Sequence, residues 1–304
     1  MKEKTRQFLS KWFGRLGRRE LLNVLSDKAY VKLLYRLRFN KPLNLKNPKT
    51  FNEKMQWLKV YDKNPLYTKM VDKYLVKAYV ADQIGEEYII PTLGVWDSFD
   101  DIDFNMLPEQ FVIKCTHDSG GLVICRDKSK LDKEAVRKKI EKSLKTNYYW
   151  HGREWPYKNV PRRVMAETYM QDGDTEYLPV YKFFCFDGKA KIVQTIQNDK
   201  MPNETIDYFD REWNLLDLKQ KYPNSTNPLS KPALFDKMLE IADTLAKAKK
   251  SFIRVDLYFI NGRIYFSEFT FFSDSGTAAF CPDSWDSVLG DMIALPPKKN
   301  ETRA

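Results

Sequence analysis

Residues 252–270 read as one β-hairpin, and its polar residues restrict what this chain can fold into more than any other feature. Phe252-Ile-Arg-Val-Asp-Leu-Tyr-Phe-Ile260 runs into a turn at Asn261-Gly262 and returns through Ile264-Tyr-Phe-Ser-Glu-Phe-Thr270. Phe, Ile, Val, Leu and Tyr fill both strands, yet Arg254, Asp256, Glu268 and Thr270 interrupt them. Buried charge is costly unless it is paired or holds a metal. Which of these residues share a face depends on the turn. A two-residue turn pairs Ile260 with Arg263 and sends Asp256 and Glu268 to opposite faces. A three-residue loop closing on Gly262 pairs Phe259 with Arg263. Arg254 then lies across from Glu268, with Asp256 diagonal to it on one face. Two converging carboxylates beside a hydroxyl form an oxygen site suited to Mg²⁺ carrying nucleotide phosphates. The plainer reading is a structural Arg254–Glu268 pair with Asp256 as a second anion. Two acids and one arginine leave net negative charge, and a cation resolves it.

Lys114 is a second interruption, in the apolar run Phe111-Val-Ile-Lys-Cys115, followed by Thr116-His-Asp-Ser-Gly-Gly121 and a further apolar run at Leu122-Val-Ile-Cys125. A lysine on a buried face calls for an anion, and Gly120 and Gly121 allow backbone N–H groups to approach phosphate oxygens closely. An edge-strand lysine beside an ordinary glycine turn fits the same letters. Glu167-Thr-Tyr-Met-Gln-Asp-Gly-Asp174 leaves a third apolar run, Val164-Met-Ala166, as a strand passing into a connecting segment whose backbone could bond an adenine edge.

The remaining pattern is mixed. Helical periodicity runs to about Gln83, marked by Leu33, Leu34 and Leu37, then by Met55, Leu58 and Val71. Strand signals begin at Tyr88-Ile-Ile-Pro91. Lys133 to Leu144 reads as a charged helix with Val136, Ile140 and Leu144 on one side. Tyr181–Phe186 and Ala190–Ile196 form a hairpin across Asp187-Gly188. Ser230 is a helix cap with Pro232 in the first turn, ahead of Leu234, Met238, Ile241 and Leu245. Hairpins separated by single helices predict an α+β protein and not a doubly wound sheet.

Charge supplies the next constraint. The 304 residues carry a formal net charge of +10, with 43% hydrophobic and 30% charged residues. Such a chain is expected to be globular, to lack a membrane span and to meet an anionic partner. Near the start, Lys11, Arg15, Arg18 and Arg19 interleave with Trp12, Phe13, Leu16, Leu21 and Leu22. On a helix these make a basic face and an apolar one, either docked on the fold or, across residues 11–25, resting on anionic lipid. Gly14 and Gly17 weaken that helix. The opening residues have no apolar signal core. Cys115, Cys125, Cys185 and Cys281 contain no CxxC pair, which suits buried thiols of a cytoplasmic protein. His117 and His151 are too few for a histidine metal site.

Taken in order, these segments resemble the ATP-grasp family, in particular its TupA-like branch, associated with teichuronopeptide and cell-surface polysaccharide synthesis. The resemblance includes Phe51-Asn-Glu-Lys-Met-Gln-Trp57, Gly94-Val-Trp-Asp-Ser-Phe-Asp100, the segment from Phe111 to Gly121, Tyr181-Lys-Phe-Phe-Cys-Phe-Asp-Gly188, Arg254-Val-Asp-Leu-Tyr258 and Ser267-Glu-Phe-Thr270. It implies two α+β lobes gripping ATP with magnesium, preceded by a helical N-terminal region. The expected layout is a basic amphipathic extension (1–45), a helical or α+β region (46–108), a phosphate-loop lobe (109–172), a metal-binding lobe (173–295) and a tail (296–304).

The resemblance also implies roles. Lys77, with Lys73 as its rival, matches the first nucleotide lysine, and Lys114 the second, on the α- and β-phosphates. Ser119, Gly120 and Gly121 match the mobile phosphate loop. Glu167 and Tyr169 match the adenine hinge, Asp174 the ribose contact, and Lys182 a further phosphate contact. Asp256 and Glu268 match magnesium ligands, and Arg254 the arginine that steadies the transferred phosphate. Thr270 stands where the family has asparagine, and the amino-terminal lobe is short and helical, leaving the acceptor site open. The implied reaction joins a carboxylate, expected to be a uronic acid or sugar polymer, to an amino acid amine through an acyl-phosphate. No nucleic acid partner is expected, and the expected location is the cytoplasm, with the inner face of the membrane as an option within it. Two other readings use the same residues. One is a glycosyltransferase with a metal-bound sugar nucleotide, for which Asp101-Ile-Asp103 is the nearest acidic triplet. The other is a non-catalytic basic module for nucleic acid or membrane.

Overall fold

The computed structural model describes residues 3–173, 178–199 and 201–298. Five helices come first: α1 (Glu3–Arg18), α2 (Asp27–Phe39), α3 (Phe51–Tyr61), α4 (Pro65–Val71) and α5 (Leu75–Ile84). Their starts are written in the sequence. The Ser26 side chain accepts from Ala29 N at α2, and Thr50 with Glu53 forms a reciprocal capping box at α3. Asn64 caps α4 with Pro65 in the first turn. A strand does not form at Tyr88-Ile-Ile-Pro91. Glu86–Tyr88 is a short 3-10 turn, and the first strand starts one residue after Pro91.

Two antiparallel sheets follow. The first holds β1 (Thr92–Trp96), β2 (Phe111–Cys115), β3 (Leu122–Cys125) and β4 (Val164–Thr168) in the order β1-β4-β2-β3. Helix α6 (Lys133–Leu144) lies on it, placing Val136 and Ile140 against Phe111, Ile113, Val164 and Ala166. A short helix, α7 (Tyr149–Gly152), precedes β4. The second sheet holds β5 (Val180–Phe186), β6 (Lys189–Gln197), β7 (Thr205–Phe209), β8 (Ile253–Ile260) and β9 (Arg263–Thr270) in the order β7-β6-β5-β8-β9. Helix α8 (Phe235–Ala246) packs there through Phe235, Met238, Ile241 and Leu245. Its first residue is Phe235 and its cap position is Leu234, so Ser230 is not the cap that the sequence suggested. Helix α9 (Ser284–Asp291) returns to α3.

The main core joins the N-terminal helices to the second sheet, and a smaller one lies beneath the first. The fold is therefore α+β with a helical N-terminal region. Helix α1 is docked: Phe13 meets Tyr30 at a ring separation of 4.8 Å. A Cβ on Gly17 would come within 2.5 Å of the Tyr30 hydroxyl and 3.2 Å of Trp150 O. That glycine lets α1 approach its neighbours, beyond its weakening of an isolated helix. Cys115, Cys125 and Cys185 are buried thiols, whereas Cys281 is exposed.

Candidate functional site

The hairpin β8–β9 closes with a two-residue turn. Asn261 (φ 48°) and Gly262 (φ 74°) both have positive φ, and Ile260 pairs with Arg263. That is the type I′ geometry matching strand twist. Taken alone, it would set Asp256 and Glu268 on opposite faces. A bulge intervenes: Leu257 pairs with Phe266, but Asp256 pairs with Glu268, leaving Ser267 as the extra residue. The two acids are thus direct cross-strand neighbours on one face. The three-residue loop is corrected to a short turn plus a bulge, and Arg254 faces Thr270, not Glu268.

Arg254 nevertheless binds both acids. Its Nε and Nη2 donate to Asp256 Oδ1 and Oδ2 at 2.7 Å each, and Nη2 stands 3.9 Å from Glu268 Oε1. Burial works against the guanidinium charge, but Asp256 outweighs it and the pKa of Arg254 is raised. Lys182 continues the row, pairing with Asp256 on one side and Gln194 on the other. Gln194 Nε2 donates to the Tyr208 hydroxyl at 2.8 Å. Glu268, Asp256, Lys182, Gln194 and Tyr208 therefore form one polar band across all five strands of the second sheet. Nothing in the sequence singled out Gln194 or Tyr208; a polar residue in each of two buried strands was the available signal.

The first sheet supplies the opposing charge. In β2 burial alternates, so Phe111, Ile113 and Cys115 enter the core while Val112 and Lys114 face outward. Lys114 Nζ forms an ion pair with Glu167 Oε2, and Lys77 Nζ lies 2.6 Å from Glu167 Oε1. Lys77 also donates to Ile90 O at 2.6 Å and Thr92 Oγ1 at 2.9 Å. The Glu167 side chain is thus a carboxylate clamped between two lysines at the cavity wall. Burial raises its pKa, but Lys114 and Lys77 more than offset this and hold it below the usual carboxylate value. Lys77 itself is lowered, chiefly by burial. Two cations act on the one carboxylate of Glu167, whereas at Lys77 burial outweighs the single carboxylate it meets.

Lys73 and Lys77 owe their placement to Asp72, which is fully buried. Its Oδ1 accepts from Tyr74 N and Leu75 N at 2.8 and 3.0 Å, and its Oδ2 pairs with Arg163 at 3.1 Å. Lys73 Nζ donates to Asp118 O in the loop after β2. Burial lowers the Lys73 pKa, while Glu268 raises it and Lys114 lowers it. Lys73 is therefore tied to the loop after β2 and lies near enough to Glu268 of the second sheet to feel its charge, and the sequence had ranked it second to Lys77.

That loop has a buried root and an exposed tip. Thr116, His117 and Asp118 are buried, and Ser119 and Gly120 are exposed. The Asp118 carboxylate accepts from Gly121 N at 3.2 and 3.0 Å and from the Ser143 hydroxyl. Gly121 does not have positive φ; a Cβ there would meet Ser143 Oγ at 2.5 Å and Cys115 Sγ at 2.8 Å. His117 Nε2 lies 3.2 Å from Ser143 O, and burial lowers its pKa. His151 packs on Tyr148 beside Arg18, and burial together with Arg18, Lys59 and Arg38 pushes it down to about 4.

Between the sheets lies a cavity of about 290 Å³. Lys73, Lys77, Lys114, Glu167, Tyr169 and Lys182 border it, together with an apolar lining that includes Leu122 and Ile124. Those two side chains are 42% and 48% exposed, so this face of β3 is a cavity wall and not core. The cavity reaches Ser267 and Lys182 but stops short of Asp256, Glu268, Arg254 and Thr270. Lys182 is the link between cavity and acids. Tyr169 marks the rim, its hydroxyl accepting from Arg126 Nε at 3.2 Å. Asn261 ties the hairpin tip to the segment leaving β4, its backbone N–H donating to Asp172 Oδ1 at 2.7 Å. Asp174 lies outside the described residues. Asp101 and Asp103 serve local turns, accepting from Ser98 N and Asn105 N.

A cleft of lysines with a carboxylate pair just beyond its edge has the charges to receive a polyphosphate with its divalent cation. A sequence-family model described as TupA-like ATPgrasp matches residues 53–294. No curated protein matches the chain. Solved structures give distant likenesses. The D-alanine–D-alanine ligase from Bacillus anthracis has 16% identity, covers 81% of this chain and 69% of its own, and gives a TM-score of 0.41. A D-cycloserine synthetase has 14% identity, coverage of 75% and 70%, and a TM-score of 0.42. The N5-carboxyaminoimidazole synthetase from Staphylococcus aureus has 12% identity, coverage of 75% and 53%, and a TM-score of 0.40.

Proposed function

The chain belongs to the TupA-like ATP-grasp family, and from that premise we propose that it is an ATP- and magnesium-dependent carboxylate–amine ligase. One observation carries the reading. Lys73, Lys77, Lys114 and Lys182 border a single cavity, and just beyond it Lys182 pairs with Asp256, which pairs in turn with Glu268.

The residues fit the two groups that the reading requires. ATP would lie in the cavity, with its base among the apolar side chains near Ile90, Val112 and Met170 and its phosphates toward Lys73, Lys114 and Lys182. Ser119, Gly120 and Gly121 form the loop available to cover the phosphates. Glu167 and Tyr169 stand at the base end, and Asp174 is retained as the ribose contact. Magnesium would take Glu268, Asp256 and the Thr270 hydroxyl. Among the described residues no group of three or more His, Cys, Asp or Glu gathers to hold a metal. Mg²⁺ characteristically uses one or two carboxylates and completes its shell with water and substrate phosphates. Bound there, it would neutralise phosphate charge.

The chain's own part is positioning and charge. A substrate carboxylate oxygen bonds to the γ-phosphorus as the bond to ADP breaks. An amine nitrogen then attacks the acyl carbon, losing a proton and releasing phosphate. Arg254 is fixed by Asp256, which leaves its remaining Nη1 donor directed toward Ser273 Oγ at 3.4 Å and able to meet charge on the transferred group. Lys182 sits beside it for the same purpose. The family association with surface polysaccharide favours a uronic acid or polymer as carboxylate and an amino acid as amine, in capsule or cell-wall synthesis. We place the activity in the cytoplasm, where ATP is available, at the inner face of the membrane.

The test is ADP and phosphate release in a screen of uronic acids against amino acids, with Glu268→Gln as control. A chain that releases ADP with one pair, and a folded variant that does not, meet the expectation. Equal release from both would remove the carboxylate pair from the reaction.

A further inference from the structure

Helix α1 precedes the family-matched segment, which begins at residue 53, and it has two faces. Ser10, Phe13 and Gly17, spaced one or two turns apart, form the face packed against α2 and α7. The opposite face is bare. Phe8 is 64% exposed and Trp12, one turn on, 52%, with Leu9 at 38% beside them. Beyond the helix, Leu21 and Val24 are exposed at 61% and 92%. Large apolar side chains this open and this close together are unusual on a surface that meets only water.

Their charged surroundings select the partner. Lys4 lies one turn before Phe8, and Lys11 and Arg15 lie on the flank of Phe8 and Trp12, with Arg19 one turn after Arg15. All four are exposed, and from residue 4 to residue 19 the sequence has six Lys or Arg and no Asp or Glu. A second protein or a second copy of this chain would leave that cationic flank without counter-charge unless it were itself acidic. An anionic lipid surface satisfies both features together, taking the aromatic rings at the headgroup boundary and the cations against phosphate.

We infer that the outward face of α1, centred on Phe8 and Trp12 and flanked by Lys4, Lys11, Arg15 and Arg19, seats the protein on an anionic membrane surface. The helix lies flat and does not cross. Among the described residues no helix is long and apolar enough to span a bilayer. The opposite face holds α1 on the protein through Phe13, Gly17 and Arg6, whose Nη1 donates to Leu37 O at 3.0 Å. The catalytic cleft thus rides on a fixed anchor.

Flotation of the full chain with vesicles of phosphatidylcholine, alone or mixed with phosphatidylglycerol, tests this without any nucleotide, so its outcome is separate from that of the ligase assay. The expected result is flotation with the anionic vesicles, about tenfold less with neutral ones, and release as salt approaches about 1 M, where the Debye length is about 3 Å. Phe8→Ser with Trp12→Ser, and separately Lys11→Glu with Arg15→Glu, should each lower binding about tenfold with an unchanged melting midpoint. No flotation, or equal flotation on neutral vesicles, overturns the inference. A parent chain that sediments as a dimer and becomes monomeric in Phe8→Ser with Trp12→Ser also overturns it, because a second copy then covers the face. Oligonucleotide binding by a chain that ignores both vesicles would do the same.

Discussion

Asp256 and Glu268 are paired acids with unequal surroundings, and they should fail differently when neutralised. The Asp256 side chain is 2% exposed and takes both bonds from buried Arg254, whereas that of Glu268 is 48% exposed and 3.9 Å from the same guanidinium. Asp256→Asn strands a buried cation and should cost about 3–5 kcal/mol of stability, seen as a lower urea midpoint. Glu268→Gln should leave that midpoint within about 0.5 kcal/mol and lower phosphate release by about 10³-fold. Equal stability losses would contradict the asymmetry. Glu167 carries a pH signature. Its carboxyl is held below the ordinary value of about 4.3, so the folded chain stays ionised where the unfolded chain begins to take up a proton. The stability it contributes is fully present above that value and is lost as pH falls through the lower folded one. Glu167→Gln should therefore show a flatter acid limb in stability against pH, together with a loss of about 3 kcal/mol at neutral pH from the two lysines left behind. Superimposable acid limbs would refute the clamp.

At the scale of elements, much of the architecture was legible. The Lys133–Leu144 helix, the hairpin across Asp187-Gly188 and the α+β class all follow from periodicity and turn residues that local physics decides. The misses have physical causes too. Tyr88-Ile-Ile-Pro91 is apolar enough for a strand, but proline removes a ladder donor. The bulge at Ser267 was invisible because Asn-Gly fixes only the end of a hairpin, and the register further along is settled by packing. Glu167 was read for its backbone, since no spacing rule brings Lys77, Lys114 and Glu167 to one point. Two glycines show what elements tolerate. Gly262 has open space around its missing Cβ, so Gly262→Val should cost only the price of positive φ, about 1–2 kcal/mol, with no change in ADP release. Gly17→Val instead collides with Tyr30 and the Trp150 carbonyl. It should release α1 locally, measured as faster proteolysis before residue 20, while the rest of the chain melts as before.

At the scale of the molecule, two sheets with separate cores share one cleft, so a ligand touching both acts on the whole fold. ATP with magnesium at about 100 times its dissociation constant should stabilise the chain by about 2.7 kcal/mol, read as a rise in melting temperature that the Lys114→Met variant loses. A rise of the same size in that variant would place the nucleotide elsewhere. The Glu167 bridge between Lys77 and Lys114 has one more consequence. With Glu167 between them, Lys77 and Lys114 attract chloride and free phosphate less than two bare cations would. A phosphate that reaches Lys114 swaps places with an internal carboxylate instead of condensing onto a bare cation, so fewer small ions are expelled as it arrives. Nucleotide affinity should accordingly vary only shallowly with ionic strength, in a protein whose adhesion to vesicles varies steeply.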